Sequence, residues 1–195
     1  MPTKAKIEVL HRDDFAKAID ELGLKVGVEI GVDEGKFSDL ILSNSKLDVL
    51  HGVDAWSTDI GKTKSKYSSV CAAKMAARNL DYNSVEVGAR KLLSKHGKRS
   101  NIIKSISWDA ASQFEDGSID FIYFDGSHTS DGFLKDMESW YPKVKVGGLM
   151  SGHDYCRKRW YGVIEVVNKF LPEHGMEIHV TKEGKAPSWW TIKEK

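Results

Sequence analysis

Apolar positions along this chain change period repeatedly, and each change marks the end of one predicted element and the start of the next. From His11 to Leu22, Phe15, Ala18, Ile19 and Leu22 fall on one helical face, and Gly23 stops the run. "VGVEI" (Val26 to Ile30) then reads as a strand, and Phe37, Leu40 and Ile41 give a helix from Lys36 to Leu42. "LDVLHGVDAW" supplies a second strand ending at Asp54. Val70 to His96 reads as one or two helices carrying Met75, Leu80, Val87, Leu92 and Leu93. "NIIKSIS" is a third strand, "SWDAASQF" a short helix and "SIDFIYFDG" a strongly apolar fourth strand. A helix from Gly132 to Tyr141 leads through Pro142 to a fifth strand, "VGGLMSGHDY". A helix from Tyr161 to Leu171, a strand "MEIHVTK", a turn at Gly184 and a closing strand "SWWTIK" complete the chain. Strands alternating with helices predict an α/β fold with a mostly parallel sheet, its last pair of strands a hairpin.

The chain has 195 residues, with no internal repeat or low-complexity block and only four prolines, which predicts one domain over 1–195. Residues 1–24 form its lead-in helix. Residues 57–100 form an insertion or lid that opens with the polar, cationic run "STDIGKTKSKYSS", carrying Lys62, Lys64, Lys66 and Tyr67. Lys and Arg number 29 against 28 Asp and Glu, a net charge of +1, so no global field recruits nucleic acid or an anionic membrane. The expected partners are small molecules or protein. Cys71 and Cys156 stand apart without metal-ligand spacing, and there is no signal-peptide pattern and no long apolar span. A reduced, cytoplasmic location is the expectation. Trp189 and Trp190 on the closing strand offer apolar area that a homodimer could use.

Chemistry concentrates first at the joint between the first strand and its helix, "EIGVDEGK". A dinucleotide fold wants G-x-G-x-x-G there, but Gly31 is followed by Asp33 and Lys36 where the other glycines belong. A phosphate-binding G-x-x-x-x-G-K-[ST] loop fails on spacing and on the missing Ser or Thr. Glu29, Asp33 and Glu34 instead make the joint acidic, which suits a ligand with positive charge, such as the sulfonium and ammonium of S-adenosylmethionine. A merely structural tight turn is the alternative. Asp54, about twenty residues on, ends the next strand where a carboxylate can accept hydrogen bonds from both ribose hydroxyls, or cap a turn.

With "FDGSH" (Phe124 to His128) and "GGLMSGHDY" (Gly147 to Tyr155) added, the sequence resembles a class I S-adenosylmethionine-dependent methyltransferase of the branch carrying FDGxH and GHDY strand ends. The resemblance runs from about Val26 to Phe170 and into the closing strand. It implies a Rossmann-like three-layer sandwich: a seven-stranded, mostly parallel sheet with an antiparallel last strand. It further implies that Glu29, Gly31 and Gly35 line the methionine moiety, that Asp54 holds the ribose, and that Ser107, Trp108 and Asp109 surround the adenine. Asp125 then lies beside the methyl group. By themselves, Trp108 reads equally as a core or lid aromatic and Asp109 as the cap of the short helix.

Asp125, His128, His153 and Asp154 end the fourth and fifth strands, which brings two carboxylates and two imidazoles to one sheet edge. Repulsion between the carboxylates falls with a proton or a divalent cation between them. Metal-binding relatives use an aspartate ending the fourth strand and an acidic pair ending the fifth, a pattern that maps onto Asp125, His153 and Asp154 with His153 as a departure. Magnesium suits oxygen ligands, and each imidazole tilts preference toward another divalent metal. Without metal, His128 or His153 is the general base and Asp154 orients it; His128 as a mere helix cap is the third reading. With Asp125 and Asp154 as metal ligands or base, O-methylation of a small-molecule hydroxyl is the expectation, and the resemblance together with the cationic run from Ser57 points to an acceptor of a sugar or glycan-precursor kind. A nicotinamide-dependent oxidoreductase and a non-catalytic nucleoside-binding protein are the rivals. "RKRWYG" (Arg157 to Gly162) adds to the acceptor wall or packs under the last helix. His11, His51, His96, His174 and His179 are expected at the surface or in packing roles.

Overall fold

The computed structural model describes residues 7–57, 81–156 and 161–195. After a single 3-10 turn, Arg12–Asp14, come α1 (Phe15–Glu21), β1 (Val26–Ile30), α2 (Lys36–Asn44) and β2 (Val49–Asp54). Next are α3 (Tyr82–Leu93), β3 (Ser100–Lys104), α4 (Ser107–Ala110), β4 (Ile119–Phe124) and α5 (Ser130–Trp140). The chain closes with β5 (Val144–Gly152), α6 (Tyr161–Glu173), β6 (His179–Val180) and β7 (Trp189–Ile192). One seven-stranded sheet has the order β3-β2-β1-β4-β5-β7-β6. β1 to β5 pair in parallel, while β7 runs antiparallel to both β5 and β6. This is the α/β architecture the periodicity predicts, and β6 with β7 is the expected hairpin.

Alternation along the buried strands builds the three layers. Phe121 and Tyr123 face Phe15, Ile19, Phe37 and Ile41 of α1 and α2, whereas Ile122 and Phe124 face Phe133, Met137, Val167 and Leu171 of α5 and α6. Strand order reverses between β1 and β4, the switch point at which open α/β sheets bind ligands.

Two expectations change. In α3 the buried face carries Val85, Glu86, Ala89 and Leu93, while Val87 is 58 % exposed. The helix turns toward the core the stripe spaced four residues apart, and Glu86 survives there by pairing with Lys104 and Arg90. Trp189 and Trp190 are both buried within the chain's own core, so neither offers surface to a partner. The cationic run from Ser57, apart from Ser57 itself, lies outside the described residues, as do Cys71, Met75, Leu80 and Arg157 to Trp160. Of residues 57–100, α3 packs on the core through Val85, Ala89 and Leu93. No helix among the described residues is long and apolar enough to cross a membrane.

Candidate active site

Strand register assembles the site. Ile30 pairs with Val53 and with Phe124, and Phe124 pairs with Gly152, so these four residues form one row across the sheet. The next residue of each strand, Gly31, Asp54, Asp125 and His153, therefore stands in one line at the carboxyl edge. Backbone bonds extend the row: Gly31 N–H donates to Val53 O at 2.8 Å, Asp125 N–H to Ile30 O at 2.7 Å and His153 N–H to Phe124 O at 2.9 Å. Gly31 has φ +91°, and a Cβ there would lie 2.3 Å from the Asp125 carbonyl oxygen, so a glycine is required where the two strand ends touch. Gly35, at φ +78°, turns the chain into α2.

Backbone strain marks the same edge. Among the described residues, the non-glycine positions with positive φ are Asp33 (47°), Trp56 (40°) and Asp154 (56°), each in the connection after a strand of that row. Asp54 holds two of them: its Oδ2 accepts from Asp33 N–H at 2.9 Å and its Oδ1 from Trp56 N–H at 2.7 Å. Burial pushes the Asp54 carboxyl up, against these N–H donors. The buried Trp56 closes the loop by donating from Nε1 to Asp33 O at 3.1 Å. Glu29 is buried below Gly31 and accepts a hydrogen bond from Ser38. Burial raises its pKa to about 8, with Ser38 and the charge of Arg12 opposing.

Ser107 and Trp108 open α4, at the same edge after β3. Ser107 Oγ accepts from Trp140 Nε1 at 2.9 Å, and Lys135 Nζ lies 4.1 Å from the centre of the Trp108 ring. Asp109 is not the cap of this helix. It lies within α4, exposed, and the N-cap is Ile106 without a side-chain bond. Nor does His128 cap α5, because Thr129 does so by accepting from Gly132 N–H at 3.0 Å.

His128 instead turns to the acidic cluster: its Nε2 lies 2.7 Å from Asp154 Oδ2 and 3.9 Å from Asp125 Oδ1. His153 Nδ1 is 3.4 Å from Asp154 Oδ1 and 3.7 Å from Asp125 Oδ1. The two carboxyls respond in opposite directions. Burial raises the pKa of Asp125 despite the cations near it. Burial would raise Asp154 too, but hydrogen bonds from both histidines outweigh it and hold Asp154 below the usual carboxylate range. Ligand atoms of Asp125, His128 and Asp154 lie within 4.8 Å of one another, a separation and donor set that fit one divalent ion. His128 takes a place in that set where the sequence pattern singled out His153.

One site residue escaped the sequence. Arg12, from the lead-in turn, donates from Nη2 to Asp125 Oδ2 at 2.8 Å. Its guanidinium carbon stands 4.2 Å from the centre of the Phe37 ring and 4.9 Å from that of Tyr123. No local pattern distinguishes it from other surface arginines, since its partners lie on α2 and β4. The remaining histidines of the described core pack as expected: His96 pairs with Asp39, His51 meets Phe114 edge-on, and His174 and His179 stack on Phe170 and Trp190.

Comparison with known proteins places the family and the fold. Residues 28–155 match a family model described as a methyltransferase domain. An uncharacterised protein of Acanthamoeba polyphaga mimivirus is 29% identical over 152 residues, 75% of this chain. The match takes in 59% of that relative, so this chain spans under two thirds of its length. Among solved structures, the O-methyltransferase NovP superposes with a TM-score of 0.68 at 15% identity, covering 94% of this chain and 78% of its own. An O-methyltransferase from Bacillus cereus in complex with SAH gives 0.64 at 12% identity, over 96% and 83%. An rRNA methylase from Streptococcus thermophilus gives 0.62 at 13%, over 94% of each chain. At these identities the structural likeness is one of fold, while the family match spans both strand-end motifs. The chain belongs to the methyltransferase-domain family, among the class I S-adenosylmethionine-dependent methyltransferases.

Proposed function

We propose that this protein transfers the methyl group of S-adenosylmethionine to a hydroxyl oxygen of a small molecule of a sugar or glycan-precursor kind. The observation that carries the reading is the line of Gly31, Asp54, Asp125 and His153 along the switch-point edge, with the His128–Asp154 pair beside it. In this reading Glu29, Gly31 and Gly35 line the methionine end, Asp54 holds the ribose hydroxyls, Ser107, Trp108 and Asp109 border the adenine, and Asp125 faces the methyl group. The O-methyltransferases among the similar folds support the choice of oxygen, and the rRNA methylase among them keeps the acceptor a matter for experiment.

The acceptor oxygen attacks the methyl carbon in line with the carbon–sulfur bond. That bond breaks, its electron pair stays on sulfur, and the sulfonium leaves as a neutral thioether, so no proton is needed at the leaving group. The hydroxyl proton passes to the His128–Asp154 pair, in which Asp154 Oδ2 fixes the imidazole through Nε2. Alignment of the two reactants supplies much of the remaining rate, as effective molarity. In the alternative, metal-assisted form, a divalent ion would be held by Asp125, His128 and Asp154 with His153 alongside, and would supply Lewis acidity toward the acceptor hydroxyl in place of the His128–Asp154 base.

Calorimetric titration with S-adenosylhomocysteine, in magnesium and again in EDTA, with NAD as control, tests this. The expected result is binding of the homocysteine nucleoside and none of NAD. NAD binding in its place would overturn the reading in favour of an oxidoreductase. Tight nucleoside binding without transfer to any hydroxyl tested would favour a non-catalytic binder.

A further inference from the structure

Asp125 already has a cation. Two carboxylates ending neighbouring strands repel, and the imidazoles of His128 and His153 answer that repulsion only when protonated. Arg12 answers it permanently. Its Nη2 bonds Asp125 Oδ2 at 2.8 Å, which leaves Oδ1 as the oxygen nearest the two imidazoles, at 3.9 and 3.7 Å.

The arginine is delivered by a built attachment. Arg12 N–H donates to the Glu183 carboxylate, and Lys182 N–H donates to Leu10 O at 2.7 Å, so the lead-in turn is tied to the loop between β6 and β7. The rings of Phe37 and Tyr123 support the guanidinium. The lead-in turn and the β6–β7 loop lie outside the stretch that matches the family model, which begins at residue 28 and ends at 155. Among the described residues the guanidinium makes a single hydrogen bond, to Asp125, and its buried Nε makes none. A two-pronged arginine fork would hold the carboxylate more firmly.

We infer that Arg12 is the resident counter-cation of Asp125 and keeps the divalent-metal affinity of the Asp125–His128–Asp154 cluster low. An ion held through Asp125 Oδ1 shares one carboxylate group with the guanidinium, in a half-buried site where solvent screens the repulsion weakly. Arg12 is thus a positioning residue: it sets the charge of a carboxylate that the metal, or the methyl donor, then meets. The inference uses the metal-compatible cluster of the proposed function but not its acceptor.

The test is Mn2+ binding to the full chain, followed by electron paramagnetic resonance without any nucleoside, so that its failure leaves the methyltransferase reading standing. Arg12→Gln removes the charge, and Arg12→Met removes it while keeping an apolar stem across Phe37 and Tyr123. Thermal unfolding identifies which of the two is folded. Mn2+ affinity is expected to rise about tenfold or more in the folded variant, and the gain should vanish when Asp125→Asn is added. Unchanged or weaker affinity, a gain that persists without Asp125, or no Mn2+ binding to either wild type or variant would each overturn the inference. A merely structural role for Arg12 would lower the melting temperature without raising metal affinity.

Discussion

At the scale of residues, the two halves of the site carry separable jobs. Asp54→Ala removes both oxygens that hold the Asp33 and Trp56 N–H groups and that face the ribose in our reading. Loss of hydrogen bonds to a charged group should weaken S-adenosylhomocysteine by about a hundredfold, read by calorimetry. Asp154→Asn should leave that affinity within roughly threefold, because its partners are His128 and His153, yet lower kcat by about a hundredfold or more. Equal losses of binding in the two variants would remove the division of roles. Most of these residues were legible in the sequence because each ends a strand, and a strand end is marked by its own apolar run. Arg12 was not legible, because what makes it part of the site is a partner at the end of β4 brought near by folding.

At the scale of elements, close approach decides which glycines matter. Gly31→Ala drives a Cβ into the Asp125 carbonyl at a φ of +91°, and it should destabilise the protein by about 2 to 4 kcal/mol in urea denaturation. It should also weaken nucleoside binding, since β1 and β4 must separate. Gly88 is exposed inside α3, and a methyl group added there would meet nothing within 4 Å. The sign should therefore reverse: Gly88→Ala should stabilise by up to about 1 kcal/mol in the same denaturation. The contrast separates a glycine required by contact from one that merely costs helix stability. The buried face of α3 shows the limit of periodicity, since Val87 satisfied a helical pattern and still faces solvent. A short amphipathic helix offers more than one apolar stripe, and packing against Phe37 and Ile41 of α2 selects among them.

At the scale of the whole molecule, buried carboxyls should shape stability against pH. Burial raises Glu29 to about 8 and Asp136 to about 7, each opposed by its hydrogen bonds, and Asp136 Oδ1 has no partner among the described residues. A raised acid binds its proton more tightly folded than unfolded, so its contribution is full below the unfolded value near 4 and is lost as pH rises through 7 and 8. Asp120 and Asp154 act in the other direction: hydrogen bonds outweigh burial and hold them low, so their contribution is present above the unfolded value and lost as pH falls. Stability should therefore peak near pH ~5 and decline toward pH ~8. For Asp136, from 3.8 unfolded to about 7 folded, the decline is at most about 4 kcal/mol. Denaturant titrations of wild type and Asp136→Asn at both ends of this range check it, and the variant should show the flatter profile.

The sequence by itself determined the order of strands and helices, the hairpin at the end, and which residues stand near the carboxyl ends of the first, second, fourth and fifth strands, because these depend on local periodicity and on glycine's freedom at positive φ. The tertiary structure decided what no local pattern encodes. Parallel register put Gly31, Asp54, Asp125 and His153 in one line, and the end of β5 gave His128 a carboxylate partner in place of a capping role. Packing buried Trp189 and Trp190 inside the chain rather than leaving them for a second copy. Folding also carried Arg12 across 113 positions of sequence to Asp125, because the charge of a buried carboxylate is balanced by whatever cation the fold brings near, at any distance along the chain.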